Sequence, residues 1–237
     1  MGKDLLNEFN PSLVHPSYLT RKRLLDGIKQ YAGNLKGILL DFGCGSKPYR
    51  SLFSVDQYIG VDFENPGHPH VNESIDFFYD GKHLPFPDEQ FDAVFSSEVF
   101  EHVFNLDQIM SELNRVLKPG GKILITCPFA ICEHEVPNDF ARYSSYGLKH
   151  LFENKGFEIE KLEKTGNSIE TVFQLQLMYI HQHIAPYFKK IPVVRSVFRL
   201  VVYTTMNLAA VFFSRILPKR KDLYLNNIVL ATKLKTS

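Results

Sequence analysis

Asp41 and Asp62 each close an apolar run, and Gly43 and Gly45 follow the first of them in the segment GILLDFGCGSKPY. A carboxylate at the carboxyl end of a buried strand lies where open α/β sheets bind their ligands. Glycines placed directly after it let the backbone turn tightly and approach a ligand more closely than any Cβ would allow. Asp62 follows Asp41 by 21 residues, close to the spacing of dinucleotide-binding folds. Taken singly, each acid also reads as a helix cap or loop carboxylate. Their joint order favours ligand contact.

A second set of residues suits proton transfer. The run Ser96-Ser97-Glu98-Val99-Phe100-Glu101-His102 ends in a histidine, whose intrinsic pKa makes it a candidate base. The alternative is a packed His102 that orients a helix. Further on, HEVPNDFARY holds His134, Glu135, Asp139, Arg142 and Tyr143 within ten residues. His134 suits removal of a proton from a substrate hydroxyl, while Glu98, Asp139, Arg142 and Tyr143 suit the orientation of a polar substrate. Equally, Asp139 and Arg142 form a salt bridge that fixes the loop, leaving His134 alone functional. The histidines are scattered and an HxxxD pair is common, so no metal site is expected.

Strands alternating with helices must position these groups. Apolar runs predict strands at Ile38–Leu40, Tyr58–Phe63, within Ile75–Tyr79, Phe91–Ser96, Lys122–Cys127, Phe157–Lys164 and Asn226–Lys233. Helices are predicted over Pro16–Tyr31, from Ser46 to Phe53, over Leu106–Leu117 and over Ser144–Lys155. Lys118-Pro119-Gly120-Gly121 is a strong stop after the third of these. The pattern is that of an α/β fold: a doubly wound, mostly parallel sheet with helices on both faces.

The ordered motifs GILLDFGCGSKPY, YIGVDF, HLPFPDEQFDAVFSSEVFEHV and NRVLKPGGKILIT resemble those of class I S-adenosylmethionine (SAM)-dependent methyltransferases of the type 11 group. The likeness covers roughly Leu35 to Thr165. It implies seven strands in the order 3-2-1-4-5-7-6 with the seventh antiparallel, a Rossmann-like methyltransferase fold, and SAM as the cofactor. On this reading Asp41 receives the methionyl ammonium, directly or through water. The Gly43-Cys44-Gly45 turn and the following helix N-terminus serve the carboxylate. Asp62, with Phe63 beside it, takes the ribose hydroxyls. Asp80 accepts from the adenine amine while the Gly81 or Lys82 N–H donates to a ring nitrogen, and Ser96 lies at the pocket. Where many relatives carry a third glycine, this chain has Lys47 followed by Pro48.

The implied reaction is direct displacement of a methyl group onto a small-molecule acceptor, at oxygen or nitrogen, the acceptor a glycan, lipid-linked compound or secondary metabolite. A non-catalytic SAM-binding regulatory subunit and a C-methyltransferase acting on a quinone-like lipid are the alternatives. An NAD-dependent enzyme is disfavoured because a full GxGxxG is missing.

At 237 residues the chain fits one domain with a helical cap over residues 1–34 and an insertion over 168–222. Between Thr171 and Lys221 there are eight basic side chains and no acid, which leaves 19 basic and all 26 acidic side chains to the rest. The net charge of +1 therefore hides an acidic body and a basic insertion. The apolar stretch Phe198–Leu217 has 15 residues between Arg199 and Arg215, short of a bilayer span. It is expected to form a lid, a homodimer contact or a peripheral membrane element. Nucleic acid is not expected as a partner, because the basic residues alternate with long apolar runs. Three irregularly spaced cysteines and an N-terminus with no apolar signal core predict a cytoplasmic location, peripheral to the inner face of the membrane if the insertion touches lipid.

Overall fold

Ile38, Leu39 and Leu40 form an unbroken apolar run because their strand is covered on both faces. In the computed structural model, which describes residue 6 and residues 9–63 and 74–235, that strand is β1 (Ile38–Phe42). It sits within a seven-stranded sheet with β2 (Gln57–Phe63), β3 (Phe77–Tyr79), β4 (Phe91–Ser97), β5 (Leu117–Pro128), β6 (Phe157–Lys164) and β7 (Asn226–Lys233). The order is β3-β2-β1-β4-β5-β7-β6, with β7 antiparallel to both neighbours and the other pairings parallel. Asp41 pairs with Gly60 and Phe95, so the ends of β1, β2 and β4 lie side by side. Both the predicted strand order and the antiparallel seventh strand are observed.

Side-chain alternation sends Leu40 and Phe42 to one face and Leu39 to the other. On the first face, α2 (Leu106–Val116) contributes Ile109, Met110 and Leu113, and α3 (Ser145–Asn154) contributes Leu148 and Phe152. On the second, α1 (Tyr18–Ala32) buries Leu24, Leu25 and Ile28 against Leu39, Phe95 and Leu124. The predicted helix over Ser46–Phe53 is absent: only a single 3₁₀ turn forms, at Arg50–Leu52. Pro48 disfavours helical backbone at Lys47, which instead adopts φ +55°.

Arg115 explains why NRVLKPGG accompanies HLPFPDEQ. Its guanidinium donates to Glu112 through Nε and Nη2, each at 2.8 Å, and to the Leu84 carbonyl at 3.1 Å. It also reaches the Phe86 carbonyl and Asp88 Oδ1, both at 2.8 Å. One side chain of α2 thus pins the loop leading into β4. Arg115→Ala should lower unfolding free energy by about 2–3 kcal/mol. A denaturant titration checks this, and an unchanged midpoint would refute the clamp.

The insertion is α4 (Ser168–Tyr179), helical turns through Phe188, and α5 (Pro192–Ile216). Instead of a 15-residue apolar segment, α5 runs for 25 residues, long and apolar enough to cross a membrane by length and composition alone. It is held to the body by a polar stripe of buried Tyr203, Asn207 and Ser214 with Ala210. Asn207 donates to the carbonyls of Leu13 and His15 at 2.7 and 3.1 Å, and Tyr203 bonds His181 at 2.8 Å. Buried Glu170 of α4 accepts from Arg23 of α1 and from Ser214. The opposite face of α5 exposes Val193, Val197, Leu200, Val201, Leu208, Phe212 and Ile216.

Candidate functional site

The cradle at the ends of β1, β2 and β4 is built around two acids. Asp41 is buried and accepts from the Tyr58 hydroxyl at 2.6 Å. Burial raises its pKa to about 7, although the Tyr58 bond works the other way. Asp62 accepts from the Gly45 N–H at 2.8 Å and the Phe63 N–H at 2.7 Å. Gly43 has φ +70°, and a Cβ there would lie 2.4 Å from Val99 Cγ2. Ser96 Oγ is buried with no hydrogen-bond partner among the described residues. Residues 64–73, which follow Asp62 and Phe63, lie outside the described residues.

The turn after β1 differs from expectation. The Gly43 and Cys44 N–H groups both donate to the Val61 carbonyl, at 2.9 and 3.2 Å, and Gly45 N–H to Asp62. The loop is thus stitched to β2, and with no helix after it there is no N-terminus to meet a carboxylate. The Cys44 side chain is buried beside Gly60. Lys47 takes left-handed backbone, and its ammonium lies 2.5 Å from Asp76 Oδ2. Asp76 also accepts from Gly60 N–H at 2.7 Å; nothing in the sequence around it signals this role. Asp80 is exposed and accepts from Lys82 and His83 N–H at 2.8 and 2.7 Å, so it shapes its own turn and engages the Lys82 donor. Gly81, at φ +83°, lies against the Phe63 ring, and its carbonyl accepts from Asn105 at 3.0 Å.

A second cluster gathers at the ends of β4 and β5. Glu98, at φ +56°, accepts from Thr126 Oγ1 at 2.9 Å and Asn226 Nδ2 at 2.6 Å. Burial raises its pKa to about 7. Glu101 is fully buried, which together with the charge on Glu98 holds its carboxyl well above the usual range. His102 and His134, 32 residues apart in sequence, approach to 3.2 Å between their Nε2 atoms. The expected scatter of histidines is therefore reversed by the fold. Asp139 and Arg142 pair through both oxygens at 2.5 and 2.6 Å, and Asp139 accepts from the His134 N–H at 3.0 Å. This is the loop-fixing alternative, and Arg142 holds the Asp139 carboxyl well below its ordinary range. Tyr143 packs half-buried against the first core face, so it supports the loop. Phe104 and Phe140, both exposed, meet edge-on beside the cluster with centroids 5.4 Å apart. Neither aromatic stands out in the sequence.

Residues 40–125 match the methyltransferase-domain family of the type 11 group. Over that segment the chain is similar to class I methyltransferases of this group, and its sheet has their fold. A Mycolicibacterium smegmatis protein named "Probable S-adenosylmethionine-dependent methyltransferase" is 31% identical over 134 residues, 52% of each chain. A fatty-acid O-methyltransferase of the same organism is 30% identical over 146 residues, 56% of this chain and 53% of the relative. A mitochondrial ubiquinone biosynthesis O-methyltransferase of Dictyostelium discoideum is 38% identical over 73 residues, 31% and 22% of the two chains. The alignments thus span about half or less of these relatives. Among solved structures, the [4+2]-cyclase SpnF superposes with TM-score 0.57 at 18% identity, covering 98% of this chain and 94% of that one. Phosphoethanolamine N-methyltransferase 2 of Haemonchus contortus, in complex with SAM, gives TM-score 0.56 at 19% identity over 90% and 53%. These likenesses describe the fold.

The cofactor of this family is SAM, and the methyltransferase cradle fits it. Asp41 would hold the ammonium. A carboxylate offers about four acceptor sites, so Asp62 can receive ribose hydroxyls alongside its N–H bonds. The Ser96 Oγ would offer a further polar contact, and Gly43 leaves room that a Cβ would fill.

Proposed function

We propose that the chain transfers a methyl group from SAM to a hydroxyl or amine of an apolar small molecule presented at an anionic membrane surface. The observation that carries this reading is the shared edge. The Asp41–Asp62 cradle and the Glu98–His102–His134 cluster stand at neighbouring strand ends, joined by the short run Ser96–His102. SAM supplies its own leaving group, so the protein's task is to align the acceptor and exclude water. A base is needed only for an acceptor that must lose a proton, and the Glu98–His102–His134 cluster is the group of side chains that would serve such an acceptor. The exposed Phe104–Phe140 pair gives an apolar rim to this side. Relatives named for fatty-acid, ubiquinone and sterol methylation support an apolar acceptor.

The membrane part rests on the inverted polarity of α5. Its inward stripe is polar and its outward face apolar, the reverse of a helix covering a core in water. The insertion also carries Arg195, Arg199, Lys189, Lys190, Lys219, Arg220 and Lys221, with no acid between Thr171 and Lys221. That charge complements anionic phospholipid, with the helix lying in the interface and its inner face bonded to the body. On this reading the protein works at the inner face of the membrane. The test pairs flotation on phosphatidylglycerol and phosphatidylcholine vesicles with turnover of labelled SAM on a panel of phenolic, fatty-acid and lipid-linked sugar acceptors. Flotation on the anionic vesicles only is expected. A Lys219/Arg220/Lys221→Glu variant should weaken it at least about tenfold, since each basic residue contributes about 1 kcal/mol. No lipid dependence would remove the membrane part. SAM binding without turnover across the panel would favour a non-catalytic subunit.

A further inference from the structure

Both histidines at the acceptor edge are locked in one tautomer. His102 Nδ1 lies 2.6 Å from the Asn138 carbonyl oxygen, and His134 Nδ1 lies 3.2 Å from that of Cys132. A carbonyl oxygen only accepts, so each Nδ1 keeps its proton and each neutral ring presents a bare Nε2 lone pair. Those two lone pairs face each other at 3.2 Å. Glu101 Oε1 stands 3.6 Å from one Nε2 and 3.9 Å from the other. Its side chain is fully buried, and neither carboxylate oxygen accepts a hydrogen bond among the described residues. Three acceptors therefore converge with no described donor between them.

A proton held on Glu101 satisfies neither ring, since 3.6 and 3.9 Å exceed hydrogen-bond distance, so something positive must occupy the middle. A proton shared by the two rings would satisfy both nitrogens and leave Glu101 bare. A metal ion satisfies all three. Two imidazole nitrogens at about 2.0–2.1 Å from a common ion stand about 2.9–3.4 Å apart, for angles from octahedral to tetrahedral. The observed 3.2 Å falls inside that range. The Glu101 carboxylate needs to move by only a few tenths of an ångström, about the difference between its 3.6 Å separation and a metal-bound pair. The Asn138 and Cys132 carbonyls then serve as the outer partners that fix ring orientation in metal centres. Exposed Glu135 places Oε2 3.9 Å from His102 Nε2, near enough to supply a fourth oxygen.

We propose that Glu101, His102 and His134 bind a divalent transition-metal ion, Zn²⁺ best matching two imidazoles and one carboxylate, which orients the oxygen of a hydroxyl-bearing acceptor. The acceptor clause rests on the methyltransferase reading; the metal site does not.

The experiment uses the whole chain, stripped with chelator and titrated with Zn²⁺ by calorimetry. One equivalent should bind, and Co²⁺ in its place should give the visible bands of a four- or five-coordinate site. His102→Ala and His134→Ala should each weaken Zn²⁺ binding at least about 100-fold, beyond the roughly 10–100-fold typical of outer partners. Glu101→Gln should weaken it at least about tenfold. His150→Ala, on the exposed side of α3, should leave it unchanged. Thermal melts check that each variant is folded, and the Co²⁺ spectrum of the unaltered chain tests the site without any substitution. Absence of stoichiometric Zn²⁺ binding with coupled titration of the two rings would mean a proton-sharing pair and overturn the proposal. Unchanged affinity in the His102→Ala/His134→Ala double variant would do the same. SAM affinity measured on the same samples keeps the two readings apart, because the metal can fail while SAM still binds, and the reverse.

Discussion

Gly43→Val should abolish SAM binding, with a loss of at least about 100-fold by calorimetry. The position combines φ +70° with a Cβ vector that ends 2.4 Å from Val99. A β-branched residue is a steric outlier at such a φ, and relieving the strain means moving the turn. That turn is tied to β2 by the Gly43 and Cys44 N–H bonds to Val61 and by Gly45 to Asp62. Displacing it therefore drags Asp62 from the place where ribose hydroxyls would meet it. Gly43→Ala meets the same backbone penalty with less bulk and should fall between the two. Wild-type affinity in a folded Gly43→Val protein would refute the cradle.

The second large effect is on pH. Burial places the Asp41 pKa at about 7 in the ligand-free protein, so the carboxyl is largely protonated below that value. A methionyl ammonium favours the ionised form. SAM affinity should thus rise as pH increases toward 7, by up to about tenfold per unit, and level off above it. Ligand-free stability runs the other way. A group whose folded pKa lies above its unfolded value of 3.8 contributes most below that value, and the contribution is lost as pH rises through about 7. Asp41→Asn should flatten both profiles and weaken SAM binding about 10- to 100-fold at pH 8. Tyr58→Phe removes a bond that favours the charged carboxylate and should move the binding midpoint upward. Calorimetry from about pH 5.5 to 8.5 reads all three. A flat wild-type profile would exclude Asp41 as the ammonium partner.

Much of the scaffold is legible in the sequence. β6 and β7 begin and end where their apolar patterning places them, and the strand order follows from the motif series. The loss of the helix after β1 is harder to read, because Ser46–Phe53 has ordinary helical composition. The Lys47-Pro48 dipeptide keeps Lys47 out of helical backbone, so a helix could begin only at Pro48, and one 3₁₀ turn is all that forms before Phe53. α5 departs from expectation for a different reason. The arginines on either side of its 15-residue apolar stretch lie within a continuous 25-residue helix, since Arg is a good helix former. The likeness to SpnF, named as a cyclase, also shows that this fold alone does not choose the reaction.

What the sequence determined by itself is the cofactor half of the protein: β1 and β2, the two glycines and the acids that end each strand. Those features are local, because strand patterning and turn chemistry are written in consecutive residues. The cluster at the ends of β4 and β5 was decided by tertiary structure. His102 and His134 meet only because β4 and β5 are neighbours in the sheet and Phe140 N–H and Ala141 N–H dock on the Glu101 carbonyl. Spacing along the chain carries no record of that approach. The Asp139–Arg142 pair, the bare Glu101 carboxylate and the outward apolar face of α5 are likewise properties of packing, where burial and partners set the chemistry of each side chain.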